Sequence, residues 1–177
     1  IDSQFDLFPY QRLFLRAPMR YNQIYITATR AASKSFLSVL GLYLQCVFIP
    51  NHKCSIVAPV KTQGVKIMRQ KVEEILKIWP LLEKELEVFM GKPHMNFSKD
   101  VAELYFKNGS KFTCEGATDS SRGLRLHSTF LDEVRDADGD IISEVILPQL
   151  NVSRRDANGL VNPYEVCNQQ VIAGTSA

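Results

Sequence analysis

Ala28-Thr29-Arg30-Ala31-Ala32-Ser33-Lys34-Ser35 is the stretch on which the reading of this chain turns. Ahead of it, residues 21–28 (YNQIYITA) alternate Ile24 and Ile26 with Tyr25 and Thr27, a rhythm of β-branched and aromatic side chains that predicts a strand. Behind it, Phe36, Leu37, Val39, Leu40, Leu42, Tyr43, Leu44, Val47 and Phe48 cover most of the surface of a helix over residues 34–48, as expected of one packed against a sheet, and Pro50 ends it. A strand, a loop of small residues ending in Lys-Ser, and a helix are the setting of a phosphate-binding loop. In such a loop the amides turn toward phosphate oxygens at a helix N-terminus, the lysine neutralises the β and γ phosphates, and the hydroxyl reaches Mg²⁺. Against the pattern GxxxxGK[ST], Ala28 and Ser33 stand where glycines are usual. Taken alone, the stretch is read equally well as an ordinary strand-to-helix turn capped by Ser33.

The flanking sequence extends the pattern. Pro9, in Phe8-Pro9-Tyr10-Gln11-Arg12, suits the first turn of a short opening helix. Residues 54–58 (CSIVA), closed by Pro59, predict a buried strand, and the next helix sets Val65, Met68, Val72, Ile75, Leu76 and Trp79 along one stripe. Between residues 101 and 114, Leu104 and Phe106, then Phe112 and Cys114, flank Asn108-Gly109, which predicts an inserted antiparallel hairpin. Residues 140–147 read as helix up to Pro148, residues 151–164 as a polar exposed loop, and residues 170–175 (QVIAGT) as a last buried strand. Arg154-Arg155 in that loop read as solvated charges, or less favourably as contacts to DNA phosphates. The alternation predicts a three-layer α/β domain with a central, mainly parallel sheet.

A second motif weighs between the two readings of the first. Leu126-His127-Ser128-Thr129-Phe130-Leu131-Asp132-Glu133 is a short apolar strand ending in two carboxylates, 98 residues (132 − 34) beyond the lysine. Asp132 at such a strand end is placed to hold a hydrated Mg²⁺, and Glu133 to polarise a water attacking the γ phosphate. An Asp-Glu pair alone is more often two loop acids; paired with a Lys-Ser loop it resembles a Walker B.

With both motifs in view, the chain resembles the ATPase domain of the bacteriophage terminase large subunit, the motor that packages DNA into procapsids. Four ordered motifs carry the likeness. Phe8-Pro9-Tyr10-Gln11 matches the adenine-recognition segment; Thr29-Arg30-Ala31-Ala32-Ser33-Lys34-Ser35 matches the deviant Walker A; Ser121-Arg122-Gly123 precedes Phe130-Leu131-Asp132-Glu133 at the family's spacing; and Gly174-Thr175-Ser176-Ala177 resembles the coupling motif. Ser33 in place of the glycine before the lysine is the main departure.

The resemblance implies a P-loop NTPase of the additional-strand type, with ATP and Mg²⁺ as cofactors. It assigns Gln11 to the adenine edge, and Thr29, Arg30, Ala31, Ala32, Ser33, Lys34 and Ser35 to the nucleotide, with Ser35 and Asp132 on the metal. Glu133 becomes the catalytic carboxylate, Arg122 (133 − 122 = 11 residues ahead of it) and Arg30 the arginine-finger candidates, and Thr175 and Ser176 the coupling residues. Implied partners are double-stranded DNA, the procapsid portal protein, the small terminase subunit and further copies in a ring, in the host cytoplasm with no membrane contact. Such terminases carry a nuclease domain too, so the expectation is an ATPase domain over residues 1–177, cut short at its C-terminus and without nuclease activity. A helicase-like ATPase, and an assembly module that binds nucleotide weakly, are the rival functions.

Composition agrees without deciding. Among 177 residues, 45% hydrophobic and 23% charged argue against disorder, collagen and coiled coil. The net charge of +2 is unevenly spread, with six Lys/Arg against two Asp/Glu in residues 1–60. Cys46, Cys54, Cys114 and Cys167 lack metal-ligand spacing and read as buried thiols, His52, His94 and His127 as isolated histidines, and Trp79 as core. Ser33 yields an expectation of its own. If its cost is conformational, Ser33→Gly strengthens nucleotide binding by up to about tenfold; if its hydroxyl bonds phosphate or caps the helix, the change weakens it.

Overall fold

The computed structural model describes residues 6–29, 32–118, 121, 123–132, 138–165 and 169–175, with residues 173–175 described by backbone alone. Pro9 opens helix α1 (Pro9–Arg16), and Gln11 at its third position accepts the Phe8 amide on Oε1 at 2.9 Å, the glutamine half of a capping box. Strand β1 (Gln23–Ala28), helix α2 (Lys34–Phe48), strand β2 (Lys53–Ala58) and helix α3 (Lys61–Ile78) follow. Most of α2 is buried, whereas α3 buries the single stripe Gly64, Val65, Met68, Val72 and Ile75. Gly64 is needed for close approach: a Cβ there would lie 2.8 Å from both Ala58 Cβ and Cys114 Sγ.

The hairpin inserted after α3 is larger than the sequence indicates. A short ladder, β3 (Val88–Phe89) with β4 (Lys92–Pro93), leads into β5 (Met95–Phe97), β6 (Ala102–Tyr105) and β7 (Lys111–Gly116), of which the last three are mutually antiparallel. The Asn108-Gly109 turn joins β6 to β7 with Gly109 at φ +82°, and a Cβ there would meet Asn51 Oδ1 at 2.4 Å. Strand β8 (Ser128–Leu131) is followed by a helical segment that runs as α4 (Gly139–Ile141), a π turn (Ile142–Ile146) and a 3₁₀ turn (Leu147–Leu150). Pro148 therefore sits inside the last turn, near its start where its missing amide is harmless, instead of ending the helix. Strand β9 (Gln169–Thr175) completes the described chain.

The seven-stranded sheet has the order β1-β9-β8-β2-β7-β6-β5, parallel from β1 through β7. Strand β9 is thus inserted between the strand that precedes the Lys-Ser loop and the strand that ends in Asp132. Alternate residues face opposite ways: Ile56, Phe130 and Val171 pack under α1, α2 and α3, while Val57, Leu131 and Ile172 pack against the segment from 139 to 150. Three layers result, as expected. Cys46, Cys54 and Cys114 are buried free thiols and Trp79 packs on the main core; Cys167 lies outside the described residues. Arg154 is neither solvated nor offered to a polyanion. Its guanidinium is gripped by both Glu165 carboxylate oxygens at 2.6 Å and donates to Pro50 O at 2.7 Å.

Candidate functional site

The parallel strands end together at one edge of the sheet, and the loop from β1 to α2 lies there. Ala32 N donates to Thr29 O at 3.2 Å, and Ser33 takes the N-cap position of α2 at φ 55°, ψ 27°, in the left-handed region. The Ser33 side chain makes no cap bond, while its carbonyl accepts the Leu37 amide at 2.9 Å. No acidic residue occupies the first turn of α2, so the positive end of the helix dipole is not neutralised by its own side chains.

Lys34 follows, buried to about nine-tenths, its Nζ donating to Ala28 O at 2.9 Å. The ammonium is held across the mouth of the loop. Ser35 Oγ donates to Asp132 Oδ2 at 3.3 Å, across 97 residues of sequence. Asp132 follows directly on β8, and its own amide donates to Val57 O at 3.1 Å, which fixes the start of the turn. The register of β9 sets Thr175 beside Ala28 and Ile172 beside Leu131, so the backbone at the end of β9 reaches the same edge, between the strand that precedes the Lys-Ser loop and the strand that precedes Asp132. A hydroxyl and a carboxylate one hydrogen bond apart at the start of α2 form a pair of hard oxygen donors that suits Mg²⁺.

A cleft of about 330 Å³ runs from this edge between α1 and β1; Tyr10, Leu13, Tyr25, Ile26, Ala32 and Lys34 are among its walls. It is largely apolar, with Lys34 among its lining residues. Gln11 is not among its lining residues: it is 7% exposed, with Oε1 committed to the α1 cap. The structure therefore brings together Thr29, Ala32, Ser33, Lys34, Ser35 and Asp132, with Thr175 beside them by backbone register. Arg30, Ala31, Arg122, Glu133 and Ser176 lie outside the described residues.

At the opposite edge, beneath α2, the structure reveals what the sequence reading missed. His52 and His127 are not isolated; their rings lie 5.5 Å apart and both are buried. Burial, then the neighbouring His127 and Arg154, pushes His52 down to about 3. Burial, then Lys53 and Arg154, lowers His127 to about 4 despite the opposing Glu165. Both rings are neutral near pH 7. Their partners lie 74 and 76 residues away, so no local pattern could have announced them. His94 stacks on Tyr105 at 4.1 Å and bonds Glu87, without a metal-binding cluster among the described residues.

The chain has the strand order of the additional-strand P-loop NTPase fold, with β9 as the added strand between β1 and β8. Its fold matches solved large terminases. The large terminase of the thermophilic bacteriophage D6E superposes with a TM-score of 0.67 at 11% identity, over 96% of this chain and 39% of that one. The ATPase domain of the Thermus phage P74-26 large terminase gives 0.64 at 19% identity, over 98% of this chain and 66% of that one. The HK97 bacteriophage large terminase gives 0.64 at 16% identity, over 97% and 33% respectively. The D6E terminase has also been solved in complex with ATP-gamma-S and with ADP. No family model and no curated protein matches the sequence. At these identities the likeness is one of fold, and the chain spans about two-fifths, two-thirds and one-third of those three proteins.

Proposed function

We propose that this chain is the ATP-hydrolysing motor domain of a viral DNA-packaging terminase. The single observation that supports the reading most strongly is the Ser35–Asp132 contact beneath the start of α2, with Lys34 beside Ala28 on the strand next to β9. An ordinary capped turn has no use for a buried lysine and a carboxylate from another strand at the same helix end.

In this reading the base lies in the cleft between α1 and β1, with Tyr10 along it. Gln11 is buried outside the walls of that cleft with its Oε1 taken by the Phe8 amide, so for its Nε2 to read the adenine edge the start of α1 must shift toward the base. The amides of residues 29–34 surround the phosphates, and Lys34 pairs with the β and γ oxygens in exchange for the Ala28 carbonyl. Ser35 and Asp132 would hold Mg²⁺, which when bound would supply charge neutralisation for the phosphate oxygens. Glu133 accepts the proton of the attacking water, and Arg122 or Arg30 stabilises charge on the γ phosphate. Thr175, at the end of the strand between the two motifs, and Ser176, next in sequence, register the loss of the γ phosphate. For the whole protein we propose double-stranded DNA as the polymer moved, the portal protein and small terminase subunit as partners, a ring of copies as the working form, and the host cytoplasm as the location. No helix among the described residues is long and apolar enough to cross a membrane.

The test is Mg-ATP binding and phosphate release by the wild-type chain and by Lys34→Ala. Binding and turnover in the wild type, both lost in the variant, are expected. A Lys34→Ala variant that still hydrolyses ATP overturns the assignment.

A further inference from the structure

Beneath α2, at the edge of the sheet away from the phosphate loop, four buried polar side chains join end to end, and each belongs to a different element. Gln169 at the start of β9 donates through Nε2 to the carbonyls of Pro18 and Tyr21, just ahead of β1. Carbonyls only accept, so its Oε1 is left as an acceptor and receives Gln45 Nε2, from α2, at 2.7 Å. Gln45 Oε1 in turn accepts the Ser128 hydroxyl of β8 at 2.8 Å. Ser128 has then spent its proton, so the 2.7 Å contact with His52 makes His52 Nε2 the donor. Gln45, Ser128, Gln169 and His52 are all at most 5% exposed. The chain has one polarity throughout, set at one end by two backbone carbonyls; reversing any member would place like against like.

We infer that this chain is a positioning device for the nucleotide site, which makes Gln45, Gln169, Ser128 and His52 positioning residues for the reaction. The inference rests on the function proposed above. Every element the chain ties together carries a site group at its other end. Gln45 is eleven residues along α2 from Lys34, about 16 Å of stiff helix at 1.5 Å per residue. Ser128 lies four residues before Asp132 on β8, and Gln169 six before Thr175 on β9. His52 directly precedes β2, whose Val57 carbonyl holds the Asp132 amide, and Pro18 and Tyr21 lead into β1, whose last residue carries the carbonyl that holds Lys34. Ladder bonds fix which strand residues pair. They do not fix how far α2 slides over the sheet, and an apolar helix face supplies no directional constraint either. At its two ends α2 is tied by Ser35 to Asp132 and by its Cys46 and Val47 carbonyls to Asn108 Nδ2, and the two contacts of Gln45, to β9 and to β8, add the tie to the strands lying between β1 and β2. A displacement of about 1 Å at a reacting group is enough to cost about a hundredfold in rate, so a tie of this kind acts on function before it acts on folding.

The experiment compares four variants of the chain with wild type by urea denaturation, by Mg-dependent titration with a fluorescent ATP analogue, and by phosphate release. In Gln45→Leu/Gln169→Leu both amides are exchanged for apolar groups of similar size, which removes the tie and leaves the Ser128 hydroxyl and the Pro18 and Tyr21 carbonyls without those partners. We expect a lowered denaturation midpoint and, for protein that is fully folded under the assay conditions, analogue affinity at least fivefold weaker and turnover reduced further. Ser128→Ala, a smaller change that serves if the double variant does not fold, should weaken affinity in the same direction. His52→Gln presents an Nε2 donor to Ser128 and should retain affinity within twofold, whereas His52→Leu should not. A folded Gln45→Leu/Gln169→Leu or Ser128→Ala protein with wild-type affinity and turnover overturns the inference, as does a His52→Gln variant no better than His52→Leu. A wild-type chain that binds no nucleotide overturns instead the function on which the inference rests.

Discussion

Replacing Ser33 by glycine separates the backbone of the phosphate loop from its chemistry. At φ 55°, ψ 27°, Ser33 holds a conformation in which an L side chain crowds its own carbonyl, at a cost of about 1 to 2 kcal/mol. Glycine removes that crowding but makes the unfolded chain more flexible, at a cost of about 0.5 to 1 kcal/mol. No cap energy is lost, since the hydroxyl makes no bond to the first turn of α2. The net expectation for Ser33→Gly is a gain of about 0.5 to 1 kcal/mol, a rise in Tm of roughly 1 to 4 °C for a domain of this length. We expect the loop to hold this left-handed conformation with and without nucleotide, so that its cost falls on folding and not on binding. Affinity for an ATP analogue should change by less than about twofold, not by the tenfold that the sequence allows. Ser33→Ala is the control: it keeps the crowding and removes only the oxygen, so it should match wild type in affinity if the hydroxyl is idle. Calorimetric melting and analogue titration of the three proteins decide the matter. A drop in Tm on going to glycine refutes the account of strain; a loss of affinity beyond about threefold in both variants shows that the hydroxyl binds phosphate.

Three further outcomes are expected. Glu133→Gln should bind Mg-ATP as the wild type does but release no phosphate, because an amide orients water without accepting its proton; weakened binding in equilibrium titration would make Glu133 structural. Asp132→Asn should lower Mg-dependent analogue affinity about tenfold while leaving metal-free binding nearly unchanged, a split that titration with and without Mg²⁺ measures. The buried histidines should make the fold acid-labile. Their folded pKa values, about 3 for His52 and about 4 for His127, lie below the unfolded value, so stability is complete above pH 6.5 and falls as the unfolded chain takes up protons. Linkage gives a loss of about 2 kcal/mol per ring by pH 5, read as a shift in urea midpoint that His52→Gln with His127→Asn should flatten.

Much of this architecture was legible because the rules that write it are local. The bounds of α2 follow from small residues on one side and Pro50 on the other, and the Asn108-Gly109 turn follows from the positive φ that a tight hairpin needs. Lys34, Ser35 and Asp132 stood out for a different reason: a site for phosphate and Mg²⁺ would impose fixed residue types at strand and helix ends, and the structure brings these three residues together at one sheet edge. What stayed hidden has long range or short length. Strands β3, β4 and β5 span two or three residues, too few to display a period of two. The His52–His127 pair and the Gln45–Gln169 bond join residues that no local pattern relates. Gln11 illustrates competition for one side chain: the segment reads as an adenine motif, yet the oxygen is claimed by the helix that Pro9 starts.

The two missing glycines of the loop turn out to be different questions. A glycine is required where φ is positive or where a Cβ would meet its surroundings. Ala28, at the first glycine's position, is the last residue of β1, paired in register with Thr175, and its backbone is not in the left-handed region. What the site takes from it is a carbonyl for Lys34, which any residue provides. Among the described residues of the loop Ser33 alone has a positive φ, so the demand for glycine contracts to one position, met by a small side chain at a cost of about 1 kcal/mol. That cost is a small fraction of the stability of a domain this size and leaves the loop's shape intact. A motif written as a string counts two departures here; written as backbone angles and donor positions it counts one, and that one is borne by folding.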